Sequence, residues 1–337
     1  MKPVRINLAL QGGGAHGAFT WGVLDRLLDE AHIEVEGITA TSAGAMNAAV
    51  FKAGLIAGGR KGARKALETF WNNLSGTGSL VPEPLRDWFA TMAPPLSVVS
   101  DLARLSPAYQ MGDILARSFS PYDTNPLDYH PLRSVIDSVV TPDFVAELAD
   151  EYARGRLLLI GTTNMDAERP VIWNVTEIAS YRSDDARKLI RDVILASASI
   201  PIMFTPVRFN VTDGTEQFTE LHADGGLTQE IFTYAPQLPV RSYLRRAGLA
   251  NRANRVWVIH NNLINPVYQP QKTGLRDLGE RTLATLIKSQ SVGDLQRIAS
   301  LAQRDKFSLR AMIMPARFTE KPAELFDPGY MSRLYAV

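Results

Sequence analysis

The sequence contains no cysteine. That removes disulfides, a thiol nucleophile and any zinc–thiolate centre, and it suits a reducing compartment. Charge of one sign is also missing: 36 basic side chains stand against 35 acidic ones, a formal net charge of +1. A dedicated nucleic-acid binder normally carries a basic surplus, so no nucleic-acid partner is expected. No apolar run approaches the roughly 18 residues that a membrane-crossing helix needs. The N-terminal stretch alternates apolar positions with Arg5 and Asn7, unlike the continuous apolar centre of a signal peptide. Cytoplasmic residence is therefore the expected default, with signal-less secretion left open. Histidines number five in 337 residues, and no compact His/Asp/Glu group has zinc or calcium ligand spacing. Neither a metal nor any other cofactor is expected.

What remains is ordinary globular composition, 45% hydrophobic and 21% charged, enough for a large core. Val4, Ile6, Leu8 and Leu10 alternate with polar or small residues, which predicts a strand. A glycine cluster follows, and Val23, Leu24, Leu27 and Leu28 then recur at helical spacing. The pattern repeats: a strand over Ile33 to Thr41, a turn at Ser42-Ala43-Gly44, and a helix over Ala45 to Ala53 closed by Gly54. Strand–helix–strand order with short connections predicts a parallel sheet with right-handed crossovers. Further strands are expected over Leu157 to Gly161, Val171 to Val175 and Val256 to Ile259, and helices over Ala186 to Ala196 and Arg276 to Arg304. The stretch from Ser75 to Pro142 holds nine of the 20 prolines and reads as short helices and loops, either a cap or lid or a plain surface insertion. The chain 1–337 reads as one α/β domain carrying that insertion.

Three short segments carry chemistry. Gly12-Gly13-Gly14-Ala15-His16-Gly17 follows a strand and precedes a helix. It matches a dinucleotide fingerprint, but that motif wants an acid at the end of the second strand, where Thr41-Ser42-Ala43-Gly44 stands instead; Glu34 and Glu36 lie at the strand's other end. The same glycines could present backbone N–H groups to a developing oxyanion, or form a plain tight turn. Ala40-Thr41-Ser42-Ala43-Gly44 fits a nucleophile elbow whose first glycine is replaced by alanine, or a helix N-cap serine. Asp224-Gly225-Gly226 is a common turn signal that could also hold a carboxylate as general base. A fourth segment, Ala196 to Pro201 (ASASIP), reads mainly as helix–sheet packing with small side chains.

In that order, GGGAHG, ATSAG before Met46-Asn47, ASASIP and DGG resemble the patatin-like phospholipase family, over positions 12 to 226. The resemblance implies a three-layer α/β/α fold with a mostly parallel central sheet. It also implies a lipid acyl hydrolase of phospholipase A type, cleaving fatty acyl esters of phospholipids or lysophospholipids through a Ser–Asp dyad. Ser42 maps to the nucleophile, Asp224 to the base, and Gly12, Gly13 and Gly14 to the oxyanion loop. Two positions depart from the family pattern, Ala40 for glycine and His16 for a basic residue.

The competing mechanism is a Ser–His–Asp esterase or thioesterase, since Ser42, Asp224 and His260 fall in the chain order of α/β-hydrolases. A carboxylate base would leave activity at moderately acidic pH unless burial raises its pKa. The expected partner is a lipid or acyl-ester substrate, with a membrane surface as one place to meet it. Five arginines, Arg241, Arg245, Arg246, Arg252 and Arg255, sit in an acid-free stretch that reads as a solvated basic face. Phe318, Phe326, Tyr330 and Tyr335 read as anchors for the C-terminal tail, ahead of the alternative that they line a tunnel for an acyl chain. Head group, chain length and oligomeric state are not encoded in any of these motifs.

Overall fold

The computed structural model describes residues 3–75, 132–201, 204–212, 214–233, 255–265, 268, 270, 275–320 and 326–337. Its elements in chain order begin with β1 (Val4–Leu10), α1 (Gly17–Leu27), β2 (Ile33–Thr41) and α2 (Ala43–Ser75). After residue 131 come α3 (Arg133–Val139), α4 (Pro142–Ala153), β3 (Leu157–Asn164), β4 (Arg169–Asn174), α5 (Val175–Ser180) and α6 (Asp184–Ser197). They are followed by β5 (Val207–Thr212), β6 (Gln217–Asp224), β7 (Arg255–His260), α7 (Leu275–Asp305), β8 (Ser308–Ile313) and α8 (Pro328–Tyr335).

The strands form one sheet in the order β5-β6-β3-β2-β1-β7-β8, with β4 paired to β3 off that path. β3, β2, β1, β7 and β8 run parallel; β4 and β6 each pair antiparallel with β3, and β5 pairs antiparallel with β6. Side-chain alternation gives the sheet two apolar faces. Leu8, Leu10 and Ile259 join the large core with α1, α2, α4 and α6. Their neighbours Ala9, Val256 and Val258 point the other way and pack with Ile298 of α7. Successive residues of a strand thus feed opposite helical layers, which makes a three-layer α/β/α arrangement.

Three sequence expectations shift. Gly54 does not close a helix, because α2 runs on to Ser75. Its break lies at Gly58 and Gly59, where Gly59 takes φ 59, ψ −147, a conformation glycine adopts at little cost. Gly54 instead lets the two halves of α2 touch: a Cβ there would stand 2.5 Å from the Ala63 Cα. Val175 belongs to α5, whose N-cap is the preceding Asn174 side chain, accepting from Glu177 N–H at 3.2 Å. Pro142 opens α4 at a position where proline suits a helix start. The cap or lid expected over 75–142 falls on residues 76–131, outside the described residues, as do Arg241, Arg245, Arg246 and Arg252 of the basic stretch.

Candidate active site

Register on β3 is what assembles the site. Thr41, the last residue of β2, pairs with Gly161. Asp224, the last residue of β6, pairs with the next residue, Thr162. Two strands from distant parts of the sequence therefore end against adjacent residues of one strand, and Ser42 and Asp224 emerge together. Glycines permit the approach: a Cβ on Gly225 would stand 2.5 Å from Gly161 O and 2.7 Å from Thr41 Cγ2.

Ser42 has φ 53, the left-handed region that a serine adopts only under constraint. Its carbonyl accepts from Ala45 N–H at 2.8 Å and Met46 N–H at 3.2 Å, so α2 starts directly behind it. This is an elbow geometry, formed with Ala40 in place of the usual glycine. Gly44 shows why small residues follow the serine, because a Cβ there would stand 2.6 Å from Leu10 O. Asn47 ties the elbow helix to α1 by donating to Gly17 O at 3.0 Å, and accepts from the Trp71 indole at 2.9 Å.

The ASASIP segment does more than pack. Ser197 Oγ donates to Gly161 O at 2.7 Å and accepts from Ser42 N–H at 2.9 Å. Ser199 O accepts from Asp224 N–H at 2.9 Å. One helix end thus braces the backbone at both Ser42 and Asp224, which the sequence reading as simple packing missed.

Asp224 is buried. Its Oδ1 accepts from Gly226 N–H at 2.8 Å, and Oδ2 has no hydrogen-bond partner among the described residues. Burial pushes its pKa up to about 7, opposed by the nearby Ser42 hydroxyl and by Gly226 N–H. That is the case in which burial raises the base, so activity in moderate acid no longer follows from the carboxylate.

The glycine loop closes the site. Gly13 (φ 129) and Gly14 (φ 55) both use backbone conformations that favour glycine, and Gly14 opens a short 3-10 turn leading into α1. Gly12 has another reason to lack a side chain: its Cβ would stand 2.9 Å from Ser42 Cβ. Gly12→Ala is therefore expected to lower ester turnover about a hundredfold, because the added methyl displaces Ser42 from its position. It should cost only about 1–3 kcal/mol of stability, typical of overpacking; ester-hydrolysis kinetics beside thermal melts check both.

An apolar cavity of ≈ 40 Å³ opens at Ser42, walled by Met46, Trp71, Leu74, Leu132, Ile200 and Phe326 among others. Phe318 and Tyr330 are buried as tail anchors, whereas Phe326 also forms cavity wall. Tyr335 is exposed and donates to Asp25 at 2.8 Å.

Among the described residues no histidine hydrogen-bonds to Ser42 or Asp224. His260 Nδ1 contacts Asn262 O at 2.8 Å, and its Nε2 is buried without a partner among the described residues. His222 bridges Thr162 at 2.9 Å and Glu220 at 3.2 Å. Burial lowers the pKa of His16, His222 and His260 alike. The acids Glu34 and Glu36 pair with Arg5 at 3.5 Å, away from the glycine loop. Among the described residues no group of three His, Cys, Asp or Glu side chains could hold a metal, and no helix is long and apolar enough to cross a membrane.

Comparison with known families agrees with this geometry. The family model described as patatin-like phospholipase matches residues 8–235. The chain belongs to the patatin-like phospholipase family. Members are serine acyl hydrolases, and the chain is an enzyme of that class. Among solved structures, it is similar to VipD from Legionella pneumophila, at 14% identity over 100% of this chain and 67% of that one, TM-score 0.39. It is also similar to the ExoU–SpcU complex of the type III secretion system of Pseudomonas aeruginosa, at 17% identity, 90% and 52% coverage, TM-score 0.31. The patatin-like chain thus spans about two thirds of the first structure and about half of the second. A comparison with curated proteins finds no match.

Proposed function

We propose that this patatin-like enzyme is a lipid acyl hydrolase of phospholipase A type, acting on phospholipids or lysophospholipids through Ser42 and Asp224. The observation that carries the reading is the buried Asp224 carboxyl, its Oδ2 unpartnered among the described residues, facing a serine held at φ 53. Asp224 accepts the Ser42 proton as Ser42 Oγ attacks the ester carbonyl. Of the Gly12, Gly13 and Gly14 loop at the positive end of α1, the backbone N–H groups of Gly13 and Gly14 hold the oxyanion, since Gly12 N–H is turned to Glu230. The alcohol leaves with the proton from Asp224. Water, deprotonated by Asp224, then attacks the acyl-enzyme, and the fatty acid departs as Ser42 regains its proton.

The apolar lining beside Ser42 supports a fatty acyl substituent. Because Ser42 is buried, the ester must leave its lipid aggregate to reach it, which suits peripheral action at a membrane surface. Labelling with a lipid-like fluorophosphonate, followed by peptide mapping, tests the reading. Modification is expected at Ser42, and hydrolysis of a graded ester series should favour fatty acyl chains over acetate. Labelling elsewhere, or none, would discard it.

A further inference from the structure

The two-step scheme leaves one carboxyl beside the nucleophile without a task. Glu230 is 2% exposed and lies between the two halves of the site. On the loop side, a Cβ on Gly12 would stand 2.8 Å from Glu230 Oε2 and 2.9 Å from Ser42 Cβ, so the carboxyl and the nucleophile flank the same glycine. On the base side, a Cβ on Gly226 would collide with Glu230 Oε1 and stand 3.0 Å from Asp224 Oδ1. The two carboxyls flank a glycine as well.

The surroundings of Glu230 are acidic or neutral. Asp224 faces it from the end of β6, and Asp294 from α7. Asp294 also accepts from the N–H groups of Glu230 and Ile231 at 2.8 and 3.0 Å, which fixes the segment. Arg297 is turned to Asp294 and is half exposed. From the glycine loop only the Gln11 amide and Gly12 N–H face the carboxyl, and Oε2 makes no hydrogen bond of good geometry. Two carboxyls this close, with no cation between them among the described residues, do not ionise together readily.

We propose that Glu230 is a positioning residue that works as a neutral acid: protonated, it leaves Asp224 the sole negative charge beside Ser42, and its ionisation shuts off hydrolysis at alkaline pH. The inference rests on the dyad reading. Burial, with repulsion from Asp224 and Asp294 added, pushes the Glu230 pKa up to about 8, and burial raises the Asp224 carboxyl as well. The pair therefore carries one charge before it carries two, and the Ser42 hydroxyl and Gly226 N–H beside Asp224 favour that charge on Asp224. At higher pH, a second charge beside Gly12 opposes the oxyanion forming in the loop. Repulsion between like charges in so buried a site slows attack, so activity falls as Glu230 ionises.

The test is kcat/KM against pH for p-nitrophenyl butyrate with the wild type and Glu230→Gln. The wild type is expected to show a bell. Glu230→Gln should keep the acid limb and lose the alkaline one, exceeding the wild type at least about tenfold near pH 9.5. An unchanged alkaline limb, or a natively folded but inactive Glu230→Gln at every pH, would overturn the proposal. Infrared spectra of Ser42→Ala with carboxyl-labelled glutamate read the same proton without catalysis. A protonated glutamate band at neutral pH, fading in alkali and absent when Glu230→Gln is added, is expected; its absence at neutral pH overturns the proposal. Hydrolysis undiminished in Ser42→Ala would overturn the dyad reading alone, and the infrared band would still decide the state of Glu230.

Discussion

Ser42→Ala is expected to abolish ester hydrolysis and leave the protein folded. Loss of the attacking oxygen removes the covalent path altogether, a fall in kcat on the order of 10⁶ in serine hydrolases studied this way. The fold should notice little. Ser42 is held by its backbone, through Ser197 Oγ at its N–H and through Ala45 and Met46 at its carbonyl, and its hydroxyl faces the Asp224 carboxyl, which can take a proton when the hydroxyl is lost. Alanine meets the same left-handed strain at φ 53 that serine already bears. Stability should therefore change by less than about 1 kcal/mol. Hydrolysis of p-nitrophenyl butyrate, measured with a circular dichroism melt, checks both halves. A folded variant with wild-type turnover would remove Ser42 from the mechanism.

Much of this site is local and was readable. The strand–glycine–helix opening and the strand–serine–helix repeat each lie within a short stretch of chain, and β1 and β2 fall on the expected boundaries. The helices over Asp184–Ser197 and Leu275–Asp305 also match their periodic patterns to within two residues. What was not readable depends on partners far away in sequence. Glu230 acquires its setting from Gly12, 218 positions earlier, and no local pattern marks it. Ser197 sits in a segment whose small side chains suggested only packing; its bonds to Gly161 and Ser42 exist because β2 and β3 pair in register. The strand ending at Asp224 was hidden for a different reason. Gln217, Phe218 and Thr219 are exposed, so the alternation that marks a half-buried strand is absent at its start.

Asp224→Asn is expected to be as inactive as Ser42→Ala, while His260→Ala keeps substantial activity. An amide cannot take the Ser42 proton, whereas His260 is engaged with Asn262 O and has no contact with Asp224 among the described interactions. The pH profile separates the candidates in an unusual order. Burial raises the Asp224 carboxyl to about 7 and lowers the His260 imidazole below its ordinary 6.5. A carboxylate base thus fails at higher pH than a histidine base would, and the acid limb should lie near 7 and survive His260→Ala. The same shift has a consequence for stability. An unfolded aspartate ionises near about 4, the folded one near 7, so the fold holds the extra proton between them. Stability is fullest below about pH 4 as far as this group is concerned and falls as pH rises through the window, by roughly 4 kcal/mol at most. The substituted amide would carry no charge to bury, and its oxygen could still accept from Gly226 N–H. Asp224→Asn should therefore melt at a higher temperature than the wild type at pH about 8, with the gap closing toward pH about 4. A dead but stabilised variant marks a base whose burial serves catalysis at the expense of the fold. Loss of activity in His260→Ala to the level of Ser42→Ala, with native circular dichroism, would assign the base to histidine instead.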